Sequence, residues 1–248
     1  MQRILVMNSP MDSGTMTETV DLIKSRISDK QFTQHVVVNV AKIVNMRKDK
    51  ALSESVTECD IINIDGMGVV WGARFLGHQV PERVAGVDLF HALNAMAEDE
   101  SFPVFYLGAE ERIVQETAAR MQKKHPNLSI AGTHHGYFWD DEESVVQLIK
   151  QSGARLLFVA ITSPKKENFI NKWRDQLGVD FVMGVGGTFD VVAGKVNRAP
   201  SWMQKYGLEW LYRVIQEPRR MWKRYLVTNS KFAWLLLTEK SKRLLTNK

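Results

Sequence analysis

Three short stretches carry residue types suited to chemistry, and each follows an apolar run. In INIDGMGVVWG (62–72) an apolar segment delivers Asp65 to a glycine turn, with a second apolar segment after it. A carboxylate where a buried strand ends can serve as a general base. The same Asp-Gly pair is also turn chemistry, in which Asp65 would cap a helix starting at Met67. In MGVGGTFDVVAG (183–194), Gly184, Gly186 and Gly187 precede Thr188 and a helix-like stretch containing Asp190. Such glycines let backbone amides approach a phosphate at a helix start, and they equally suit a tight structural turn. The third glycine of a dinucleotide fingerprint and the Lys-Ser/Thr of a P-loop are missing. In THHGYF (133–138), adjacent His134 and His135 point in different directions and have no Glu or third His at ligand spacing. This loop therefore reads as a pocket wall built by Gly136 and Tyr137, and no metal centre is expected.

The elements that must position these residues alternate in type. ILVM (4–7), VVVNV (36–40), DIINI (60–64), PVFYLG (103–108), LSIAG (128–132), RLLFVAI (155–161) and DFVMGVG (180–186) read as buried strands. Between them, 110–125 and 141–153 have helical periodicity, the second opening on acids and closing on a glycine. Continuous apolar strands alternating with helices predict a mainly parallel sheet covered on both faces, with the ligand crevice along the strand C-terminal ends. This α/β body spans 1–194.

After Gly194 the pattern is helical throughout. Trp202, Tyr206 and Trp210 recur every four residues and would form one stripe on one helix. Pro218 marks the start of a further short helix, on which Arg220 and Arg224 share a face. From 195 to 248 there are 13 Lys/Arg and 3 Asp/Glu, a net of +10, which leaves −5 for the body out of +5 overall. An acidic body with a basic, tryptophan-rich tail suits an anionic membrane surface. Nucleic acid is the competing polyanion, but tryptophan dominance in the tail and the acidic body point away from it.

Composition narrows the classes. With 44% apolar and 25% charged residues the chain is globular rather than disordered. The single Cys59 excludes an intramolecular disulfide and fits a reducing compartment. No apolar run is long enough to span a bilayer, and the N-terminal run is too short for a signal peptide, so a cytoplasmic protein is expected.

VNVAKIVNMRKDKAL, CDIINIDGMGVVWGARFLG, PERVAGVDLF, GTHHGYF, SPKKENF, GVGGTFDVVAGKVNRAPSWM and GLEWLYRVIQEPRRMWKRY follow one another in this order. Together they resemble the successive blocks of the WecG/TagA/CpsF glycosyltransferases, glycosyltransferase family 26, from about His35 to about Tyr225. The resemblance implies a Rossmann-like α/β catalytic domain (1–194) and a helical C-terminal appendage (195–248) that reaches the membrane and completes the active site. It implies inverting transfer of a sugar from a UDP donor to a saccharide on undecaprenyl diphosphate, in bacterial surface polysaccharide synthesis. No metal or other cofactor is required, and the enzyme would sit peripherally on the inner face of the cytoplasmic membrane. Asp65 is the implied catalytic base. Asn39, Arg83, Arg213, Arg220 and Arg224 are implied substrate contacts, although Val37 stands where the family has a threonine before that asparagine. Lys166 replaces a glutamine of the family pattern, and either meets an acidic sugar or phosphate or faces solvent. A non-catalytic scaffold that binds nucleotide-sugar is the alternative reading, and a homo-oligomer stays open.

Overall fold

The computed structural model describes residues 1–246, with the side chains of Arg220 and Thr246 outside the described part. Eight strands form one sheet: β1 (Gln2–Val6), β2 (Ser9–Ser13), β3 (Thr33–Val38), β4 (Ile61–Ile64), β5 (Val104–Gly108), β6 (Ile130–His134), β7 (Leu156–Ala160) and β8 (Phe181–Gly184). Their spatial order is β1-β2-β4-β3-β8-β7-β5-β6, and every neighbouring pair is parallel except β1 with β2. This is the Rossmann-like α/β fold expected. β1 corresponds to the expected strand at 4–7, and β2, which folds back on it as a hairpin, is an addition. The hairpin turn uses Met7 and Asn8 in left-handed backbone, at φ 51° and 56°, which suits the twist of a two-residue hairpin. Asp12 anchors it: the carboxylate pairs bidentately with Arg3 at 2.8 Å and accepts the Ile62 N–H at 2.7 Å.

Helices cover both faces. Alternate residues of a strand point to opposite sides, so Tyr106, Phe158 and Met183 pack against one helical layer while Phe105, Val159 and Val182 pack against the other. The first layer consists of α1 (Met16–Ser28), α5 (Gly86–Asp99), α6 (Glu111–Lys124) and the short α9 (Thr188–Val192). On the opposite face, α7 (Glu142–Gln151) and α8 (Lys165–Trp173) cover β5, β7 and β8. There, α2 (Val40–Met46), α3 (Lys50–Thr57) and α4 (Met67–Phe75) cover β3 and β4.

The C-terminal region departs from its expected layout in two ways. Trp202 lies in α10 (Ser201–Lys205) and Trp210 in α11 (Glu209–Gln216), and the chain turns between them at Gly207 with φ +70°. The three aromatics therefore do not form a stripe on one helix. Gly207 sits so close to α4 that a Cβ there would lie 2.7 Å from the Met67 Cβ, so the turn seats against that helix. Pro218 does open a helix, but α12 runs unbroken from Pro218 to Thr246. A proline at the first position costs nothing because its missing N–H is unpaired there anyway. No helix among the described residues is long and apolar enough to cross a membrane.

α12 is tied into the body. Phe232 is buried at 7% exposure in the cluster formed by Val69, Val70, Ala73 and Ile64. A side chain at Gly72 would collide with the Phe232 ring at 2.9 Å. Truncating this ring leaves a cavity between α12 and α4, so Phe232→Ala is expected to destabilise the whole fold by about 3 kcal/mol. Denaturant unfolding measures it; a loss under about 1 kcal/mol would mean that α12 is only loosely docked.

Candidate active site

Because seven of the eight strands run the same way, the ends of β3 to β8 lie along one edge of the sheet, and a cleft of about 980 Å³ opens over them. Each strand contributes the residues just past its end. Asn39 follows β3, Asp65 follows β4, Ala109 follows β5, Gly136 and Tyr137 follow β6, Ile161 follows β7, and Gly184 to Thr188 end and follow β8. The far wall is supplied by the tail through Arg213, Met221 and Arg224.

Asp65 is placed by a turn that only glycine makes cheaply, since Gly66 has φ +94°. No side chain caps α4, so Asp65 does not serve as the cap of that helix. Its carboxylate accepts the N–H of Gly86 at the start of α5. The Val84 N–H bonds the Ile64 carbonyl at 3.0 Å, which draws the segment before α5 alongside the end of β4. Burial pushes the Asp65 carboxyl above its ordinary value of 3.8; Arg83 and Arg213 oppose the shift, and Glu209 adds to it. The result is a carboxylate on the cleft wall that holds its proton more readily than a solvated one.

Arg83 is not on the cleft wall. Its guanidinium bonds Glu209 at 2.6 Å, and Arg198 grips Asp88 at 2.5 and 2.7 Å. These two ion pairs fasten the start of the tail to the segment 83–88 behind Asp65. Arg213 and Arg224 line the cleft without a carboxylate partner among the described residues. Arg220 lies on α12, but its side chain is outside the described part.

The glycine loop divides its work. Gly184 makes room for the Lys166 stem: a Cβ there would lie 2.6 Å from the Lys166 Cε. Gly186 turns the chain at φ +56°, and Gly187 is the residue before α9. The Thr188 N–H and hydroxyl both donate to the Val185 carbonyl, at 3.2 and 2.8 Å, so its donors are already used within the turn. The N–H groups of Gly186 and Gly187 have no acceptor among the described residues, and both glycines line the cleft. Gly136 allows a close approach of two loops, with its N–H bonded to the Ala109 carbonyl at 2.8 Å. Tyr137 stands exposed at the rim. His134 and His135 are engaged locally, Nδ1 of His134 on the His135 carbonyl at 2.8 Å and Nδ1 of His135 on the Tyr137 N–H at 3.1 Å. No group of three His, Cys, Asp or Glu converges on a metal position among the described residues.

Lys166 does not face solvent. It is buried at 7% exposure on the cleft floor, where its Nζ and that of Lys42 each lie 2.9 Å from Oε1 of Glu167. Burial and the Lys42 charge bring Lys166 down to about 8. Burial alone would raise Glu167, but the two ammoniums outweigh it and bring it down to about 2. This triad was not legible beyond Lys166 itself, because Lys42 is 125 positions from Glu167.

With this geometry in view, comparison with known proteins decides the family. The profile described as "Glycosyl transferase WecG/TagA/CpsF family" matches residues 4–245. The chain belongs to the WecG/TagA/CpsF family of glycosyl transferases. It is 31% identical over 244 residues to a Bacillus subtilis (strain 168) protein, covering 98% of this chain and 94% of that one. It is 38% identical over 182 residues to a Bacillus spizizenii protein, covering 73% of this chain and 68% of that one. Both relatives are named N-acetylglucosaminyldiphosphoundecaprenol N-acetyl-beta-D-mannosaminyltransferase. The family makes the chain a glycosyltransferase, so the cleft is a candidate active site with two substrates to seat.

The buried triad has its own expected behaviour. Glu167→Gln leaves two buried ammoniums without a counter-charge and is expected to cost about 3 kcal/mol in denaturant unfolding. In the wild type, the Glu167 contribution is present above its ordinary value of 4.5 and is lost as pH falls toward 2. Lys166 gives a slope of the same sign in the alkaline range: between about 8 and 10.5 the unfolded chain holds a proton the folded one has released, so stability again rises with pH. Stability-versus-pH curves of the wild type and Lys166→Met separate the two contributions; a lysine without this shift would give superimposable alkaline limbs.

Proposed function

We propose that this chain transfers a sugar, with inversion, from a UDP-sugar to a saccharide carried on undecaprenyl diphosphate, without a metal ion. The names of the two relatives direct the first choice of substrates to N-acetylmannosamine and an N-acetylglucosaminyl diphosphoundecaprenol acceptor. The observation that carries the reading is Asp65. It is a cleft-wall carboxyl at the end of a central strand, raised by burial, and Arg213 and Arg224 line the same cleft.

The chemistry asks for two things. The Asp65 carboxylate takes the proton of the acceptor hydroxyl as the oxygen attacks the sugar's anomeric carbon from the face opposite the leaving group. The bond from that carbon to the diphosphate oxygen breaks, and its electron pair leaves with UDP. A base whose affinity for protons is raised accepts this proton more easily at neutral pH. The charge that grows on the departing diphosphate requires preorganised donors or cations. Arg213, Arg224 and the free N–H groups of Gly186 and Gly187 are the groups of the cleft suited to that task. Lys166 on the floor adds a further positive charge near the donor.

The lipid part of the acceptor brings the enzyme to a membrane surface. Trp202, Tyr206, Ile215, Trp222 and Leu226 remain exposed on the tail, and they are interleaved with Arg and Lys. Aromatic and basic residues together suit the headgroup region of an anionic bilayer, with the protein peripheral on its inner face.

The test is a UDP-release assay with a panel of UDP-sugars, including UDP-N-acetylmannosamine, and a short-chain lipid-diphosphate saccharide. Asp65→Asn is expected to lower turnover by roughly 10²–10⁴-fold while donor binding persists. The acid limb of kcat/KM for the wild type should lie above the ordinary carboxylate value of 3.8, because the base must be ionised and its pKa is raised. The residual activity of the variant should lack that limb. Activity abolished by EDTA and restored by manganese would overturn the metal-free claim.

Arg224→Ala is expected to reduce turnover far more than vesicle binding, since one surface cation contributes only about 1 kcal/mol to membrane affinity. Parallel sedimentation with anionic vesicles and the transfer assay compare the two; an equal loss in both would make Arg224 a membrane contact alone.

A further inference from the structure

A second cavity, of about 370 Å³, lies away from the strand ends, between the C-terminal half of α2 and the middle of α12. Its walls are Val44, Trp234, Leu235 and the stems of Arg47, Lys48 and Lys231. An apolar slot rimmed by three long cationic side chains is the arrangement in which stems cover apolar surface while charged heads stay wet.

The charges on that rim are out of balance. Lys48 and Lys231 line the same slot, and the nearby Lys48 charge pulls the Lys231 pKa down. Two ammoniums repel, and neither carries a lone pair to accept from the other while both are charged. The third cation, Arg47, bonds the Met7 carbonyl, which supplies no negative charge. None of the three has a carboxylate within ion-pair distance among the described residues. The nearest acid in sequence, Asp49, is occupied as the cap of α3, accepting the Leu52 N–H at 3.0 Å. A folded chain holds two like charges together at a cost, which an anion seated between them removes.

The apolar half of the site continues outward. Trp234 is 71% exposed beside the slot, and Leu237 one turn further along α12 is 58% exposed. A free inorganic anion would use the ammoniums and leave this apolar surface in water. A ligand with a phosphate at one end and hydrocarbon at the other uses both.

We propose that the α2–α12 slot binds one anionic phospholipid, its phosphate between Lys48 and Lys231 and the upper part of an acyl chain against Val44, Trp234 and Leu235. This rests on the membrane encounter proposed above and adds to it a defined lipid site. The site shares α2 and α12 with the active cleft, whose wall takes Asn45 from the first helix and Arg224 from the second. A lipid held there would set the height and tilt of the cleft mouth over the bilayer.

The test uses the full chain carrying Lys48→Ala and Lys231→Ala together, neither residue being part of the cleft. Co-sedimentation is measured with vesicles of phosphatidylcholine containing phosphatidylglycerol and with phosphatidylcholine alone. The double variant is expected to bind the anionic vesicles about thirty-fold more weakly, the share of two surface cations. Its weak binding to neutral vesicles should be unchanged. Its thermal midpoint should hold or rise, because a repulsion between like charges has been removed. Transfer to a water-soluble short-chain acceptor should match the wild type, which separates this proposal from the assignment of the activity. Undiminished binding to anionic vesicles overturns the proposal, as does an equal loss on neutral ones. Inorganic phosphate at low millimolar concentration that raises the wild-type midpoint, but not that of the variant, would make the slot a site for the free anion and also overturn it.

Discussion

Parallel alignment of the central strands is the constraint on which the rest of this molecule depends. A parallel sheet needs its crossovers on the faces, so both faces are buried and only the strand ends remain for function. In this chain six adjoining strands release their loops at the same edge, and a carboxylate, two free amides and a buried lysine meet there although they lie far apart in sequence. The glycines at this edge follow from the same crowding. Gly108 is the clearest case: at φ +120° its Cβ position is 2.4 Å from the Ala160 carbonyl oxygen, so no side chain fits between the ends of β5 and β7.

The tail completes this edge rather than merely adjoining it. Two ion pairs, Arg83 with Glu209 and Arg198 with Asp88, hold its start beside Asp65, while Phe232 locks the middle of α12 into the core. Between those fixed points Arg213 and Arg224 line the cleft with no carboxylate in ion-pair distance among the described residues. Charged groups that pair within the protein position the elements; those that stay unpaired are available to a diphosphate. The same division holds two turns further along α12, where Lys48 and Lys231 line one slot.

The net charge of the tail conceals this division. Counting 13 basic residues against 3 acids from 195 onward predicts a polyanionic partner but not which cations meet it. Arg243, for example, is occupied by Glu239 and by the Leu76 carbonyl, each at 3.1 Å, and so serves to hold the end of α12 on the body.

Apolar runs were enough to reveal the strands because burial on both faces leaves no place for polar alternation. The exceptions have a common cause. β3 begins at Thr33 rather than Val36, because Gln34 and His35 are buried through partners remote in sequence, Asn171 at 3.0 Å and Asn63 at 2.8 Å. β2, reading SPMDS, carries almost no apolar signal and exists because its neighbours supply an edge and Arg3 neutralises Asp12. In the site, Asp65 and the glycine loop could be singled out from local pattern alone, since strand-end acids and glycine turns are local features. That Asp65 binds the Gly86 N–H instead of capping α4, that Lys166 is buried beside Glu167 and Lys42, and that Arg83 supports the wall instead of lining it are decisions of packing. Each depends on which distant residue arrives within about 3 Å, where desolvation and charge pairing act. Local sequence determines the elements and the chemical types they carry; only the tertiary structure decides which charges are neutralised by the protein and which are left for a ligand.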